Sequence, residues 1–393
     1  MNSTRPRTST ASRIQLLGYF GWGNFGDDLF RETCEAQTAA LWPGGTVRAF
    51  ESARANFSES RFLAPARRLG TALAGALWSD TFAYCGGSVF SRLAGTSALR
   101  TRCFSGHAFE ALGVSVGPFA SSRDHREVVA ALREFDRVVV RDQESYDRLV
   151  GECVLGGDLA SLSSRFDPVP SVTAPASEQR LTICPSAAAG GSASRIVADL
   201  RTSLTDSETA LGLSSDLEIT VLALNAHPRL GDGGLAAEIA AGLRDHGWNA
   251  GVVDYGRVGM TGVIEVLRGS GLVWSQRLHG AIASYLLGVP VAVIDHHEKC
   301  GAFARDIGLA PQFLARDFAG LAPTAGVLDG RGRSSLSLGS QLSEHVVDDV
   351  ECSEPGTGLP WTRPAADYRE RARRAYMPGY ADQVGCRDAN EPK

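Results

Sequence analysis

At 393 residues the chain exceeds one ordinary hydrophobic core, so two domains of roughly 150 residues each are expected. Its 44% hydrophobic and 21% charged residues are those of a soluble globular protein, and a net charge of −5 argues against nucleic acid as the main partner. The first dozen residues are rich in Ser, Thr and Arg, and neither a leader-type apolar segment nor an apolar run of about 18 residues appears, so no transmembrane segment is expected. A cytoplasmic, reduced protein follows, with a peripheral position at the inner face of a membrane left open. The eight cysteines (Cys34, Cys85, Cys103, Cys153, Cys184, Cys300, Cys352 and Cys386) form no C-x-x-C pair, which speaks against a zinc knuckle or a redox motif.

Short apolar runs alternate with longer amphipathic ones, the pattern of parallel α/β units. After a disordered N-terminus over 1–12, strands are predicted at Arg13–Tyr19, Thr46–Phe50, Thr81–Cys85, Val114–Val116, Arg137–Val140 and Cys153–Leu155. His125–Phe135 carries Val128, Val129, Leu132 and Phe135 at helical spacing. Gly21-Trp22-Gly23-Asn24-Phe25-Gly26 follows the first strand and fits G-x-G-x-x-G, with Glu51 at the end of the next strand as a possible ribose ligand. Asp27 and Asp28 come at once, however, and repel a phosphate placed on that helix start. The turn is read either as a packed glycine turn or as one presenting Asn24 and Asp27 or Asp28 to a polar acceptor such as a sugar. Cys85-Gly86-Gly87-Ser88 closes the third strand, where two glycines either allow a backbone to approach a ligand or simply make a tight turn. Arg141-Asp142 ends a Val-rich strand and suits an internal ion pair as well as a site.

From Ser163 to Gln179 the chain turns polar and proline-bearing, the best linker. The pattern then restarts, with strands predicted at Leu181–Cys184, Glu218–Leu224, Asn249–Val253, Leu272–Trp274 and Val291–Ile294, and helices at Leu235–Leu243 and Thr261–Leu267. The organisation is therefore an N-terminal α/β domain over 13–165, a C-terminal one over 178–315, and an irregular tail over 316–393 with a closing helix over 365–376.

Ser275-Gln276-Arg277-Leu278-His279-Gly280 is the most informative stretch. It joins a short strand to an apolar helix, the place where α/β sheets bind ligands because helix N–H groups point into the crevice. An arginine there can clamp a carboxylate or phosphate, and a histidine close by can move a proton. The structural alternative is a capping Ser275 and a buried ion pair. His296-His297-Glu298 invites a metal reading, but adjacent histidines point apart, so no metal is expected. Lys299, one of only two lysines in the chain, offers a second cation near Arg277, or else a solvated surface charge.

Together these stretches resemble the polysaccharide pyruvyl transferase family. The similarity lies in Gly23-Asn24-Phe25-Gly26-Asp27, Gly86-Gly87-Ser88, Gly117-Pro118, Arg141 to Ser145, and above all Arg277-Leu278-His279, completed by Gly288-Val289-Pro290 and Lys299. It runs from about Gly18 to Leu309 in the same order. The resemblance implies an α/β fold of two doubly wound parallel-sheet domains facing a cleft, like that of GT-B glycosyltransferases. It also implies transfer of an enolpyruvyl-derived group from phosphoenolpyruvate to a sugar or glycan acceptor, lipid-linked or free, giving a pyruvate ketal with no cofactor.

On residues and resemblance together, His279 and Arg277 are the expected catalytic pair. Asn24, Asp27, Asp28, Gly86, Gly87, Ser88, Arg141, Ser275, Leu278 and Lys299 are the expected substrate contacts. The chain departs from the family pattern in two places. Pro185-Ser186 stands where an arginine is common, which leaves Arg195 or another base to take its part, and Asp158-Leu159-Ala160 replaces Asp-Pro-Ala. The competing functions are a GT-B-like glycosyltransferase using a nucleotide sugar and a non-catalytic sugar-binding homologue. Oligomeric state is open.

Overall fold

Arg13–Leu17 (β1) starts a six-stranded sheet completed by Thr46–Ala49 (β2), Thr81–Cys85 (β3), Ala108–Val114 (β4), Arg137–Val140 (β5) and Val154–Leu155 (β6). The computed structural model describes residues 12–50, 70, 73–92, 106–167, 177–211, 217–329 and 359–380. Glu51, residues 1–11 and the proline-bearing stretch 168–176 lie outside the described residues. The chain divides into two units, one of residues 1–167 and 366–393, the other of residues 168–365.

In the first unit the strands are parallel, in the order β2-β1-β3-β4-β5-β6. Every residue of β3 is buried, as a central parallel strand covered on both faces requires. After β1 the chain forms β2 on one side, then returns to place β3 on the other. That reversal makes the β1/β3 carboxyl ends a topological switch point, the position where open α/β sheets take ligands. Phe25–Ala36 (α1) leads away from β1, burying Phe25, Leu29, Phe30 and Cys34 along one stripe. Ser122–Leu132 (α3) and Gln143–Arg148 (α4) are capped by Ser121 and Asp142, while the short α2 spans Thr38–Leu41.

The fourth strand differs from the expected Val114–Val116. Glu110 interrupts its apolar run and hides it from a pattern reading. Within the fold that carboxylate accepts from Arg137 Nη2 at 2.6 Å and Trp42 Nε1 at 2.8 Å. Gly113 adopts φ +67 and the register shifts between Leu112 and Val114, so the residues after Val114 leave the ladder. Val116 keeps only an isolated bridge to Phe90.

The second unit contains Ser177–Cys184 (β7), Glu218–Ala223 (β8), Asn249–Asp254 (β9), Ser270–Ser275 (β10), Val291–Ile294 (β11) and Leu314–Ala315 (β12), all parallel. Their order is β12-β11-β10-β7-β8-β9, so the switch point lies between β7 and β10. Its helices are Ala193–Leu211 (α5), Gly233–Asp245 (α6), Tyr255–Arg268 (α7), Leu278–Leu286 (α8) and Glu298–Asp306 (α9). The core of one sheet face is built from Ile183, Val221, Leu272, Trp274 and Ile294, with Leu200, Ile239 and Leu243 from the helices.

The region expected to be an irregular tail has two ordered parts. Phe318–Asp329 is a 3₁₀ segment that puts Phe318 and Leu321 into the second unit's core, and Thr324 Oγ1 accepts from Trp274 Nε1 at 2.9 Å. Ala365–Tyr376 (α10) is the closing helix, and from Ala366 onward it belongs to the first unit. Arg369 donates to the carbonyls of Ser161, Ser163 and Phe166, and the Tyr376 hydroxyl donates to Gly157 O at 2.5 Å. Gly156 leaves the room this needs, since a Cβ there meets the Tyr376 ring at 2.9 Å and Val139 at 2.5 Å. Residues 330–358 and 381–393 lie outside the described residues. Among the described residues no helix is long and apolar enough to cross a membrane.

Candidate functional site

At the first unit's switch point the β1–α1 loop is closed by its own side chains. Gly21 and Gly23 both have positive φ. Asn24 Oδ1 caps α1 by accepting from Gly26 N at 3.1 Å, and Asp28 Oδ1 accepts from Gly21 N at 3.1 Å. Asp27 and Asp28 occupy the first helical turn, half-buried, where their charge complements the helix dipole. After β3, Gly86 (φ +70) passes so close to α1 that a Cβ would meet the Phe30 ring at 2.2 Å. Gly87 follows at φ +81, where a Cβ would meet Val89 at 3.7 Å, an ordinary contact.

Arg141, just past β5, turns inward and is 6% exposed. Its Nη2 donates to Ser88 Oγ at 3.2 Å, while Nε lies 3.5 Å from Asp142 Oδ2 and Nη1 lies 3.7 Å from Asp158 Oδ2. Asp142 also accepts from the Ser115 hydroxyl at 2.5 Å and from Ser145 N at 2.8 Å, and Ser145 Oγ accepts from Val116 N. The guanidinium ties the ends of β3 and β5 to the segment after β6, and the Asp142 carboxylate adds the end of β4 through Ser115. Ser88 is held by this network.

At the second unit's switch point, Ser275 to His279 form the β10–α8 turn. The Ser275 hydroxyl donates to Arg277 O at 2.7 Å and so shapes the loop from within. Gln276 bridges β10 to β7: its N–H donates to Cys184 O at 2.9 Å and its Oε1 accepts from Ser186 N at 3.0 Å. Gly280 is required beneath this turn, because a Cβ would meet Ser275 Oγ at 2.6 Å, Leu224 at 3.0 Å and Cys184 Sγ at 3.2 Å. Burial pushes the Cys184 thiol up to about 12, which makes it an inert packing group. Leu278 is buried as the first residue of α8, and His279 is half-buried in the same first turn.

Arg277 meets Asp232 through Nη2, and no other protein group accepts from it among the described residues. Its side chain is 17% exposed, and its Nε is buried without an acceptor. Asp232 itself is 0% exposed; its Oδ1 also takes Ala187 N at 3.0 Å and its Oδ2 takes Asn225 N at 3.1 Å. It precedes α6 at the capping position but makes no capping hydrogen bond, because its carboxylate is committed to the strand-end loops. A guanidinium has five donors, so a largely buried one with a single acceptor is equipped to receive an anion.

Lys299 lies half-buried in the first turn of α9, where His297 caps the helix. Ser275 of β10 is in register with Val293 of β11, so the segments carrying Arg277 and His296 leave the sheet next to each other. Burial, then the positive charges of Lys299 and Arg277, hold His296 below the usual histidine range. The His296 and His297 rings are 6.5 Å apart with planes at 72°, and no group of three or more metal-ligating side chains occurs among the described residues.

The sequence reading missed Asp232 and Gln276. Asp before Gly-Gly and an apolar periodic run does signal a helix start, but nothing in that signal says the carboxylate faces Arg277. At Pro185-Ser186 the chain uses the backbone of Ser186 to join Gln276. Arg195 is exposed in the first turn of α5, where its charge acts on Asp199.

Two doubly wound parallel-sheet units, each with ligand-type loops at its switch point, define a GT-B-like α/β protein. Solved structures with this fold include a Listeria monocytogenes protein assigned as a UDP-N-acetylglucosamine 2-epimerase (11% identity, 96% of this chain and 95% of that one covered, TM-score 0.56). Another is the Methanocaldococcus jannaschii UDP-GlcNAc 2-epimerase in complex with UDP-GlcNAc and UDP (10% identity, 92% and 97% covered, TM-score 0.52). Comparison with curated proteins gives no match. The family model for polysaccharide pyruvyl transferase matches residues 24–298, and the chain belongs to that family. The matched span starts at Asn24, the last residue of the loop after β1, includes the loops after β3, β5 and β10, and ends one residue before Lys299. Membership makes the protein a transferase of polysaccharide modification.

Proposed function

We propose that the protein transfers an enolpyruvyl-derived group from phosphoenolpyruvate to a sugar of a polysaccharide or glycan precursor, closing a pyruvate ketal across two hydroxyls. The observation that carries this reading is Arg277: a largely buried guanidinium at a switch point, held at one nitrogen by Asp232, with a buried Nε that no protein group among the described residues accepts from. Phosphoenolpyruvate offers the carboxylate and phosphate oxygens such a fork binds. Lys299 supplies a second cation, and the His279 position at a helix start suits the same negative ligand.

Protonation of the donor's methylene carbon makes its central carbon electrophilic. A first sugar hydroxyl adds there, the phosphate departs with the C–O electron pair, and a second hydroxyl captures the resulting cation. The two hydroxyl protons end on the new methyl group and on the phosphate. His279 is the group assigned to carry a proton between hydroxyl and methylene. The acceptor sugar is assigned to the loops after β1 and β3, where Asn24, Asp27, Asp28, Gly86, Gly87 and Ser88 supply directional polar groups. A lipid-linked precursor at the inner membrane face suits an acceptor of this class.

The test is incubation with phosphoenolpyruvate and candidate glycans, following phosphate release and the mass of the glycan. A pyruvyl gain matched to phosphate release supports the reading. Transfer of a sugar from a nucleotide sugar, with phosphoenolpyruvate inert, replaces it by glycosyl transfer.

A further inference from the structure

We propose that His296 is a third contact for the donor's anionic groups, one that takes up a proton as the anion binds; this rests on the reading of Arg277 as a donor-binding residue. His296 stands two residues beyond the end of β11, beside the β10 turn that carries Arg277. Its Nδ1 lies 3.3 Å from Ile294 O. A carbonyl oxygen only accepts, so in the neutral ring Nδ1 carries the proton and Nε2 holds the electron pair.

Four groups bear on the charge of this ring besides its half-burial. Lys299 from α9 and Arg277 from the β10 turn oppose protonation, while Asp295 on its own segment and the Ile294 carbonyl favour it. His297, the adjacent ring, caps α9 and accepts from Lys299 N at 3.4 Å. In the ligand-free protein burial, with the two cations, prevails and holds His296 below the usual histidine range. Asp232 meanwhile offsets one positive charge at Arg277. A ligand bearing both carboxylate and phosphate brings negative charge to the two cations that act on this ring. Its field answers Arg277 and Lys299 and reverses the balance at His296, whose Nε2 then gains a proton and donates it in a charge-assisted hydrogen bond. The sign follows: binding raises the proton affinity of His296, so affinity rises as pH falls.

Sulfate is the probe, because it is a dianion that does not titrate near neutrality. Calorimetry in two buffers of different ionisation enthalpy at about pH 7 counts the protons taken up. The intact protein should absorb a fraction of a proton per sulfate, and bind it up to roughly tenfold more tightly for each unit of falling pH. His296→Gln should abolish both the uptake and the slope. His296→Lys, a second variant with a fixed charge, should bind sulfate without uptake and keep its affinity at high pH. Undiminished uptake in His296→Gln, or sulfate binding by the wild type with no pH slope, overturns the proposal. Phosphoenolpyruvate turnover is measured separately: proton uptake without turnover keeps this anion site and removes only the phosphoenolpyruvate reading.

Discussion

Arg141 and Arg277 both stand just past the carboxyl end of a parallel strand, both are at least largely buried, and both meet an aspartate. They differ in how many acceptors surround them. Arg141 has Ser88, Asp142 and Asp158 on three sides of its guanidinium. Arg277 has Asp232 alone among the described residues. A guanidinium enclosed by carboxylates and a hydroxyl is a clamp on its own fold, since another anion there would face two negative charges. One with a single carboxylate is held in orientation while most of its donors stay available. Strand-end position nominates an arginine for function; the count of acceptors around it separates ligand binding from fold holding.

The largest effect expected from this contrast is at His279, on the same turn as Arg277. His279→Ala should lower turnover by on the order of 10²–10⁴ with little change in donor affinity, as loss of a proton-transfer group does. Single-turnover measurement alongside donor binding checks it. Normal turnover would make His279 a packing residue and remove chemistry from the second unit's loop.

The two arginines should then part company. Arg141→Ala leaves the buried Asp142 and Asp158 without their cation, a loss of about 3–5 kcal/mol in denaturant unfolding. Donor affinity of the remaining folded protein should be unchanged. Arg277→Ala should instead weaken donor binding roughly ten- to a hundredfold, the worth of a charge-assisted contact of about 1.5–3 kcal/mol. It also strands Asp232, so Arg277→Ala combined with Asp232→Asn should recover stability but not affinity. Equal loss of donor affinity in folded Arg141→Ala would erase the distinction.

The turn from Ser275 to Gly280 was legible because a polar Arg-x-His set between an apolar strand and an apolar helix breaks the surrounding pattern. The α10 helix was legible for a related reason, the amphipathic spacing of Tyr368, Ala372 and Tyr376. Its attachment to the first unit was not, because periodicity says that a face will be buried and not against what. Glu110 concealed β4, since its partners Arg137 and Trp42 are remote in sequence. Asp232 was invisible for the same reason: 45 residues separate it from Arg277, and its local signal is that of a helix cap it does not provide. His296 drew attention as half of a metal-like pair, whereas burial acts on it first and charges from two other elements add to that. Local chemistry is written in neighbouring residues; the identity of a remote partner is a property of the sheet order.

The smallest expected effect tests whether the first unit's loop does more than hold itself together. Asn24 Oδ1 caps α1 through Gly26 N, so Asn24→Ala should cost about 1 kcal/mol of stability. Serine is nearly as good a cap, and Asn24→Ser should restore most of that loss. The side-chain amide is different, because it also offers donors that a serine hydroxyl cannot place at the same reach. If Asn24 contacts the acceptor sugar, Asn24→Ser will fold as well as the wild type and still show a raised KM for acceptor at unchanged KM for donor. Acceptor titrations on the two variants, read against their unfolding curves, separate the roles. An Asn24→Ser protein with wild-type acceptor KM would reduce Asn24 to a helix cap, and the sugar would then have to be sought at Gly87, Ser88 and the carboxylates of the first turn of α1.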